Sequence, residues 1–235
     1  MRSTRQLIVN SDDFGLSHGV NRGIIEAHER GIVTSASLMV RWPAAVEAAA
    51  YAGQHADLSL GLHIDLGEWI YCGDEWVRTY GVVPVDHGSA VSEEISRQLA
   101  TFRWLVGKDP THLDSHQHVH LNEPVRTMAT EIARSLNVPL RDCDSDVRYC
   151  GYFYGQTADG APLPEAISVD SLLRILSSLP PGITEIGCHA GLEDDLETKY
   201  RSERVHEVRT LCDPRVRSAL AIEGIELISF GRGLS

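Results

Sequence analysis

The residues of this chain that could do chemistry are acidic and imidazole side chains gathered at a few points: Asp12-Asp13, His63, a run from His112 through Asp114, His116 and His118 to His120, then Arg141-Asp142 and His189. One carboxylate with two neutral imidazoles is a common ligand set for a catalytic divalent ion, because it leaves coordination positions open for water and substrate. Asp13, His63 and His116 fit that set. Taken singly, any of these histidines is better explained by hydrogen bonding in a core or at a surface than by a metal. Four histidines and an aspartate within nine residues, directly after a β-like run, point to a metal site instead. Asp12-Asp13 alone is equally compatible with a solvated turn before Phe14-Gly15. A kinase reading of Asp13-Phe14-Gly15 fails, since neither a glycine-rich loop nor a His-Arg-Asp segment accompanies it.

These groups share a position in the pattern of the chain. β-like runs at 7–10, 34–40, 58–63, 111–115, 138–142, 184–189 and 226–230 alternate with helical spacing such as Ile95, Leu99, Phe102 and Val106, or Val169, Leu172, Leu173 and Leu176. Ser17 can cap a helix ending near Gly31, Pro43 suits a first helical turn, and Asp213-Pro214 opens a last helix that stops at Gly224. Such alternation predicts an α/β fold, a distorted (β/α) barrel with about seven parallel strands in one domain over 1–235. The C-terminal ends of parallel strands meet at one rim, and Asp13, His63, His116, Arg141 and His189 all fall at such ends. Period-two alternation in 58–65 sets Leu58, Leu60, Leu62 and Ile64 on one face and Gly61, His63 and Asp65 on the other. The same alternation would send His112, Asp114, His116, His118 and His120 to one side. Asp12 and Asp13, as neighbours, can serve one site only if the backbone turns there. The segments 67–90 and 143–167 fit neither strand nor helix. They carry aromatic residues, including Trp69, Tyr71, Trp76, Phe153 and Tyr154, and follow candidate strands, which places them near the same rim.

Composition narrows the function classes. The chain has 235 residues, 43% of them hydrophobic, enough to bury a substantial core. Its formal net charge of −12 repels phosphate backbones and argues against a nucleic-acid partner. No stretch approaches the ~20 apolar residues that span a bilayer, and the apolar run near the N-terminus, Leu7-Ile8-Val9, is far too short for a signal-peptide core, so no membrane association and a cytoplasmic location are expected. Five cysteines form no CxxC pair, which points to reduced thiols. Cys188 beside His189 is better read as a packed residue than as a nucleophile, since neighbours on a strand face opposite ways.

The sequence resembles the YdjC-like carbohydrate deacetylases, which include chitooligosaccharide deacetylases. The resemblance lies in Ile8-Val9-Asn10-Ser11-Asp12-Asp13-Phe14-Gly15-Leu16-Ser17, Gly23-Ile24-Ile25-Glu26-Ala27, Gly31-Ile32-Val33-Thr34-Ser35 and Gly61-Leu62-His63. It continues in the run from Pro110 to His120, in Leu140-Arg141, in Phe153-Tyr154-Gly155 and in Cys188-His189. It implies a barrel related to the polysaccharide deacetylases, with one magnesium or zinc ion at an Asp-His-His site. Position by position it implies Asp13, His63 and His116 as metal ligands, Asp12 as general base and His189 as general acid. The expected reaction is removal of an N-acetyl group from an acetylated sugar, and a homodimer is the assembly the resemblance suggests. Arg141 divides evenly between a salt-bridged side chain and a group that orients Asp12 or substrate. His118 and His120 could orient a ligand or touch the sugar, and Phe153 and Tyr154 are the aromatics expected to stack on it. Two other functions stay open on the residues: hydrolysis of a phosphate ester or non-sugar amide at the same metal, and sugar binding without catalysis.

Overall fold

The computed structural model describes residues 4–192, 195 and 198–231. In chain order these form β1 (Arg5–Phe14), α1 (His18–Glu29), β2 (Ser35–Leu38), α2 (Ala45–Gln54), β3 (Ser59–Ile64), β4 (Gly67–Cys72), β5 (Glu75–Gly81) and α3 (Gly88–Val106). There follow β6 (Leu113–Ser115), α4 (Val125–Leu136), β7 (Val147–Cys150), α5 (Val169–Ser178), β8 (Gly182–Cys188), α6 (Ser202–Leu211), α7 (Pro214–Glu223) and β9 (Ile225–Leu227). Short 3-10 turns occupy His116–Leu121 and Pro164–Ile167.

Seven strands make one sheet in the order β6-β3-β2-β1-β8-β7, with β9 on β1, and every pairing in it is parallel. β9 takes the first residues of β1, Arg5 to Leu7, and β2 pairs further along from Asn10. An isolated parallel bridge between Leu113 and Leu140 continues the sheet past β6, and the chain then crosses to β7 on the opposite edge. The sheet therefore curls, and side chains from β1, β3, β6 and β8 meet inside it. This is the expected distorted barrel.

Alternation along β1 separates two environments. Leu7 and Val9 belong to the main hydrophobic core with Ile24, Ala27 and Ala48 of the covering helices, and Leu58, Leu60, Leu62 and Ile64 join the same core. Ile8 faces inward, onto Val147, Ile228 and Phe230, and the inward side continues into the buried polar residues Asn10 and Asp12. The bottom of the barrel is thus closed by apolar contacts while its upper interior is polar.

Local chemistry sets the helix ends. The Ser17 hydroxyl accepts from the Val20 amide at the start of α1, and Asp213 accepts from the Arg215 amide with Pro214 in the first turn of α7. Gly224, in the left-handed region, ends α7. α2 begins two residues after Pro43, with Ala44 at its cap, so the proline precedes the helix rather than opening it.

Three expectations need correction. Residues 138–142 contribute only the Leu113–Leu140 bridge, because Pro139 has no amide proton with which to extend a ladder. The segment 67–90 holds an antiparallel hairpin, β4 with β5, and the start of α3, while 143–167 supplies the edge strand β7. The histidine run is extended only through Ser115. Gln117 and His118 then take φ of 52°, which breaks the alternation and separates the side chains of His112 to His120. His112 is stacked on Phe230 at 3.9 Å, and a Cβ at Gly61 would lie 2.4 Å from its ring.

Gly61 is therefore the space that His112 fills. Gly61→Ala should lower unfolding stability by about 1–3 kcal/mol through overpacking, measured as a shift in the urea midpoint with an unchanged slope.

Candidate active site

A bulge brings two consecutive carboxylates into one site. The β1–β2 register runs Asn10 to Ser35 and Ser11 to Ala36, then resumes at Phe14 with Leu38, so Asp12 and Asp13 together oppose Ser37. Asp13 itself turns the chain with φ of 68°, and its carbonyl accepts from the Leu16 amide at 3.0 Å. A left-handed conformation at a residue other than glycine costs on the order of 1–3 kcal/mol, strain typical of functional sites. The turn demanded by two adjacent aspartates thus falls at the second of them, with Gly15 (φ 92°) completing it.

Around Asp13 the side chains converge. Its Oδ1 lies 3.2 Å from His63 Nε2 and 3.1 Å from His116 Nδ1, and the three potential ligand atoms all lie within 4.8 Å of one another. The Nδ1–H of His63 donates to Asp114 Oδ1 at 2.8 Å, which fixes the tautomer and turns the Nε2 lone pair toward Asp13. That Nε2 is buried and has no hydrogen-bond partner. A buried lone pair beside a carboxylate and a second imidazole is what a divalent cation requires, so the residues fit one. Burial opposes ionisation of Asp13, but Arg204 and then His116 outweigh it and hold its carboxyl well below the usual range. Burial likewise disfavours protonated His63, yet Asp114 overrides it and raises the imidazole well above its ordinary value, so a bound cation would take the place of the proton on Nε2.

Asp12 faces a different partner. Arg141, with no side-chain exposure, donates from both terminal nitrogens to the two Asp12 oxygens at 2.6 and 2.7 Å, and through Nε to Glu185 at 2.8 Å. The same guanidinium lies 2.7 Å from Asp114 Oδ2. Asn10 Nδ2 donates to Asp12 Oδ1 and to Ser37 Oγ, both at 2.9 Å, and Ser37 Oγ donates to Asp114 at 2.7 Å. Burial pushes the Asp12 carboxyl up and Arg141 pulls it down, leaving it below the usual value. For Glu185 burial prevails and the group sits at about 7.

On the far side stands His189, just past β8, its Nε2 3.9 Å from Asp12 Oδ2. Its amide donates to Glu207 on α6, a carboxyl that burial raises to about 8 and that also accepts from the Tyr200 hydroxyl. Burial lowers the His189 imidazole to about 4. The Tyr154 ring lies 5.3 Å from that of His189 and is stacked on Tyr200 at 5.0 Å. These groups floor a cavity of about 540 Å³, within the size range of small-molecule sites, whose walls include Trp69, Tyr71 and Trp76 of the β4–β5 hairpin.

The hairpin is tied to the barrel at its base. Tyr80 donates to buried Asp65 at 2.9 Å, and the Gln117 side chain pairs with both backbone groups of Trp69, at 2.7 and 2.9 Å. At its tip Tyr71 and Trp76 meet edge to face at 5.5 Å.

Of the residues singled out in the sequence, Asp12, Asp13, His63, His116 and His189 come together in one cluster. Arg141 is buried against Asp12 and reaches no solvent. His118 lines the cavity next to Tyr149, with its Nε2 3.4 Å from the phenolic oxygen. His120 is buried between Ser115 and the Arg141 carbonyl. Phe153 lines the cavity but is 1% exposed and belongs to the main core, whereas Tyr154 is open to solvent. Arg204, Glu207, Tyr200, Glu185 and Asn10 were not anticipated. Arg204 and Glu207, three apart, share a face of α6 that is buried together with Glu203 and Thr210, and charged residues at that spacing read in the sequence as a solvated face.

A sequence model described as YdjC-like protein matches residues 6–221. A chitooligosaccharide deacetylase of Serratia marcescens is 33% identical, the match covering 95% of this chain and 97% of the relative. A carbohydrate deacetylase of Geobacillus stearothermophilus is 31% identical over 96% and 97%. Among solved structures, a protein of Enterococcus faecalis V583 described as a cellobiose-phosphate cleavage protein superimposes with a TM-score of 0.79 at 26% identity, covering 97% of this chain and 98% of the other. A family 4 carbohydrate esterase of Streptomyces lividans shares the fold, with a TM-score of 0.54 at 15% identity over 99% and 96%. On a match that runs through nearly the whole chain, from β1 into α7, the protein belongs to the YdjC-like family.

Proposed function

We propose that this protein removes the N-acetyl group from an acetylated mono- or oligosaccharide of the chitobiose type, releasing acetate and an amino sugar. The observation that carries the reading is the buried, unpartnered His63 Nε2 grouped with Asp13 and His116 at the floor of an aromatic-walled cavity. The names of the relatives, carbohydrate and chitooligosaccharide deacetylases at about 30% identity, support the choice of substrate.

In this reading Asp13, His63 and His116 hold one divalent ion, magnesium or zinc. Such an ion supplies Lewis-acid polarisation of the acetyl carbonyl and a water of lowered pKa. Asp12, kept ionised and aimed by Arg141, is placed to accept a proton at its carboxylate from a water attacking the carbonyl carbon. His189 Nε2, across from Asp12, is uncharged at rest because burial lowers it to about 4; it would take up a proton in the course of the reaction and pass it to the sugar nitrogen, which is a poor leaving group until protonated. Tyr154 and the hairpin aromatics offer flat apolar faces to pyranose rings, while Phe153 shapes the wall from within the core. His118 sits on the same wall within reach of sugar hydroxyls. A phosphate-ester substrate is less favoured, because both arginines at the site, Arg141 and Arg204, are engaged by carboxylates, leaving Lys199 on the cavity wall, whose ammonium donates to the Tyr71 carbonyl, as the basic group without a carboxylate partner among the described residues. Action in the cytoplasm and assembly as a homodimer complete the proposal. Among the described residues no helix is long and apolar enough to cross a membrane.

Acetate release from N-acetylglucosamine and its short oligomers tests the reading directly: activity should vanish on chelation and return with zinc or magnesium, and absence of acetate from every substrate would overturn it. Asp12→Ala should lose ~100- to 10,000-fold in kcat while the protein retains its ion. His63→Ala should lose the ion itself, seen by metal analysis of the purified variant.

A further inference from the structure

Arg204 is a buried charged group at the site that the proposed chemistry does not use. It comes from α6, and its guanidinium donates to Asp13 Oδ2 at 2.6 Å, so only Oδ1 faces His63 and His116. The side chain is 94% buried by its 6% exposure, its plane lies near the Tyr200 ring at 5.8 Å, and its Nε has no partner.

Two glycines give this arginine its path. A Cβ at Gly191, just past His189, would meet Arg204 Cδ at 2.9 Å and its Cβ at 3.2 Å, and all three nearest atoms belong to the Arg204 side chain. Gly191 in turn presses on α1, where a Cβ at Gly23 would meet its backbone at 2.3 Å. The strand end, α1 and α6 are thus packed so closely that only hydrogen at both positions lets the arginine stem reach Asp13.

We propose that Arg204 is a positioning residue that keeps Asp13 a one-oxygen ligand of the cation, leaving coordination positions free for water and the acetyl carbonyl. The inference rests on the metal-dependent reading above. A carboxylate partner makes a metal ligand more basic and strengthens its hold on the ion. A guanidinium does the reverse: it withdraws charge from Asp13 and repels the cation across a short distance. Arg204 therefore favours an open coordination shell over a tightly closed one, at the expense of affinity.

Cobalt(II) serves as a visible probe of the site, with its affinity and absorption spectrum measured on purified wild type, Arg204→Met, Arg204→Lys and Gly191→Ala. Arg204→Met should bind cobalt at least as tightly as wild type, show weaker visible absorption as the second Asp13 oxygen joins the shell, and fall ~10- to 100-fold in kcat with little change in KM. Arg204→Lys, which keeps the charge but not the forked geometry, should lie between. Gly191→Ala, which displaces the arginine without removing it, should shift the spectrum in the same direction. A wild type that binds no cobalt, zinc or magnesium would remove the metal-dependent reading and this inference with it. Wild-type binding with an unchanged spectrum in Arg204→Met, or with affinity lost in step with stability, would overturn the inference alone.

Discussion

The upper interior of the barrel is organised by one guanidinium. Arg141 lies among Asp12, Asp114 and Glu185 with no solvent contact, and each of those carboxylates comes from a different strand. Three buried acids without it would repel one another in a medium that screens poorly, and an uncompensated buried charge typically costs about 3–5 kcal/mol. Asp114, once neutralised on that side, is free to accept from His63 Nδ1, and this single hydrogen bond decides which nitrogen of His63 is left for a cation. The proposed proton acceptor, Asp12, and the proposed cation ligand, His63, are therefore oriented by the same residue, one directly and one through Asp114.

Arg141 itself is held by irregular backbone. Its amide donates to the Leu113 carbonyl at 3.0 Å and its own carbonyl accepts from His120 Nε2 at 3.0 Å, so β6 and the turn after it position the arginine from both ends. His120 finds its use here, inside the wall rather than at the sugar. Asp142 follows at φ of 54°, turning the chain away as soon as the arginine is delivered. A regular strand at 138–142 would have fixed Arg141 by ladder pairing alone. The observed arrangement replaces that ladder with one bridge and a side-chain hydrogen bond.

Much of this was legible from periodicity. Alternation marked the strands that bury one face against helices, and the rim rule for parallel strands gathered Asp13, His63, His116 and His189 from remote parts of the chain. Alternation failed where the backbone leaves the extended state: at Asp13, which puts both aspartates on one side, and at Gln117-His118, which scatters the histidine run. The β4–β5 hairpin carried a readable mark that was passed over, since Gly73-Asp74 separates two short alternating runs and both residues take positive φ, as a two-residue turn matched to strand twist demands. Arg204 and Glu207 were hidden for a different reason. Buried charge on a helix face leaves no hydrophobic stripe, and its partners, Asp13 and the His189 amide, are distant in the chain.

The hairpin also bears on how such a site could change its diet. Its root is bolted to the barrel by Tyr80 on Asp65 and by Gln117 on Trp69, whereas Trp76 and Val77 at the far end stand largely in solvent. Residues near that tip answer to few packing demands, so exchanging them alters the wall of the cavity without disturbing the strands that hold the buried carboxylates and imidazoles. The aromatic wall and the buried charged cluster are in this way mounted on separate parts, and the first can be refitted while the second stays in place.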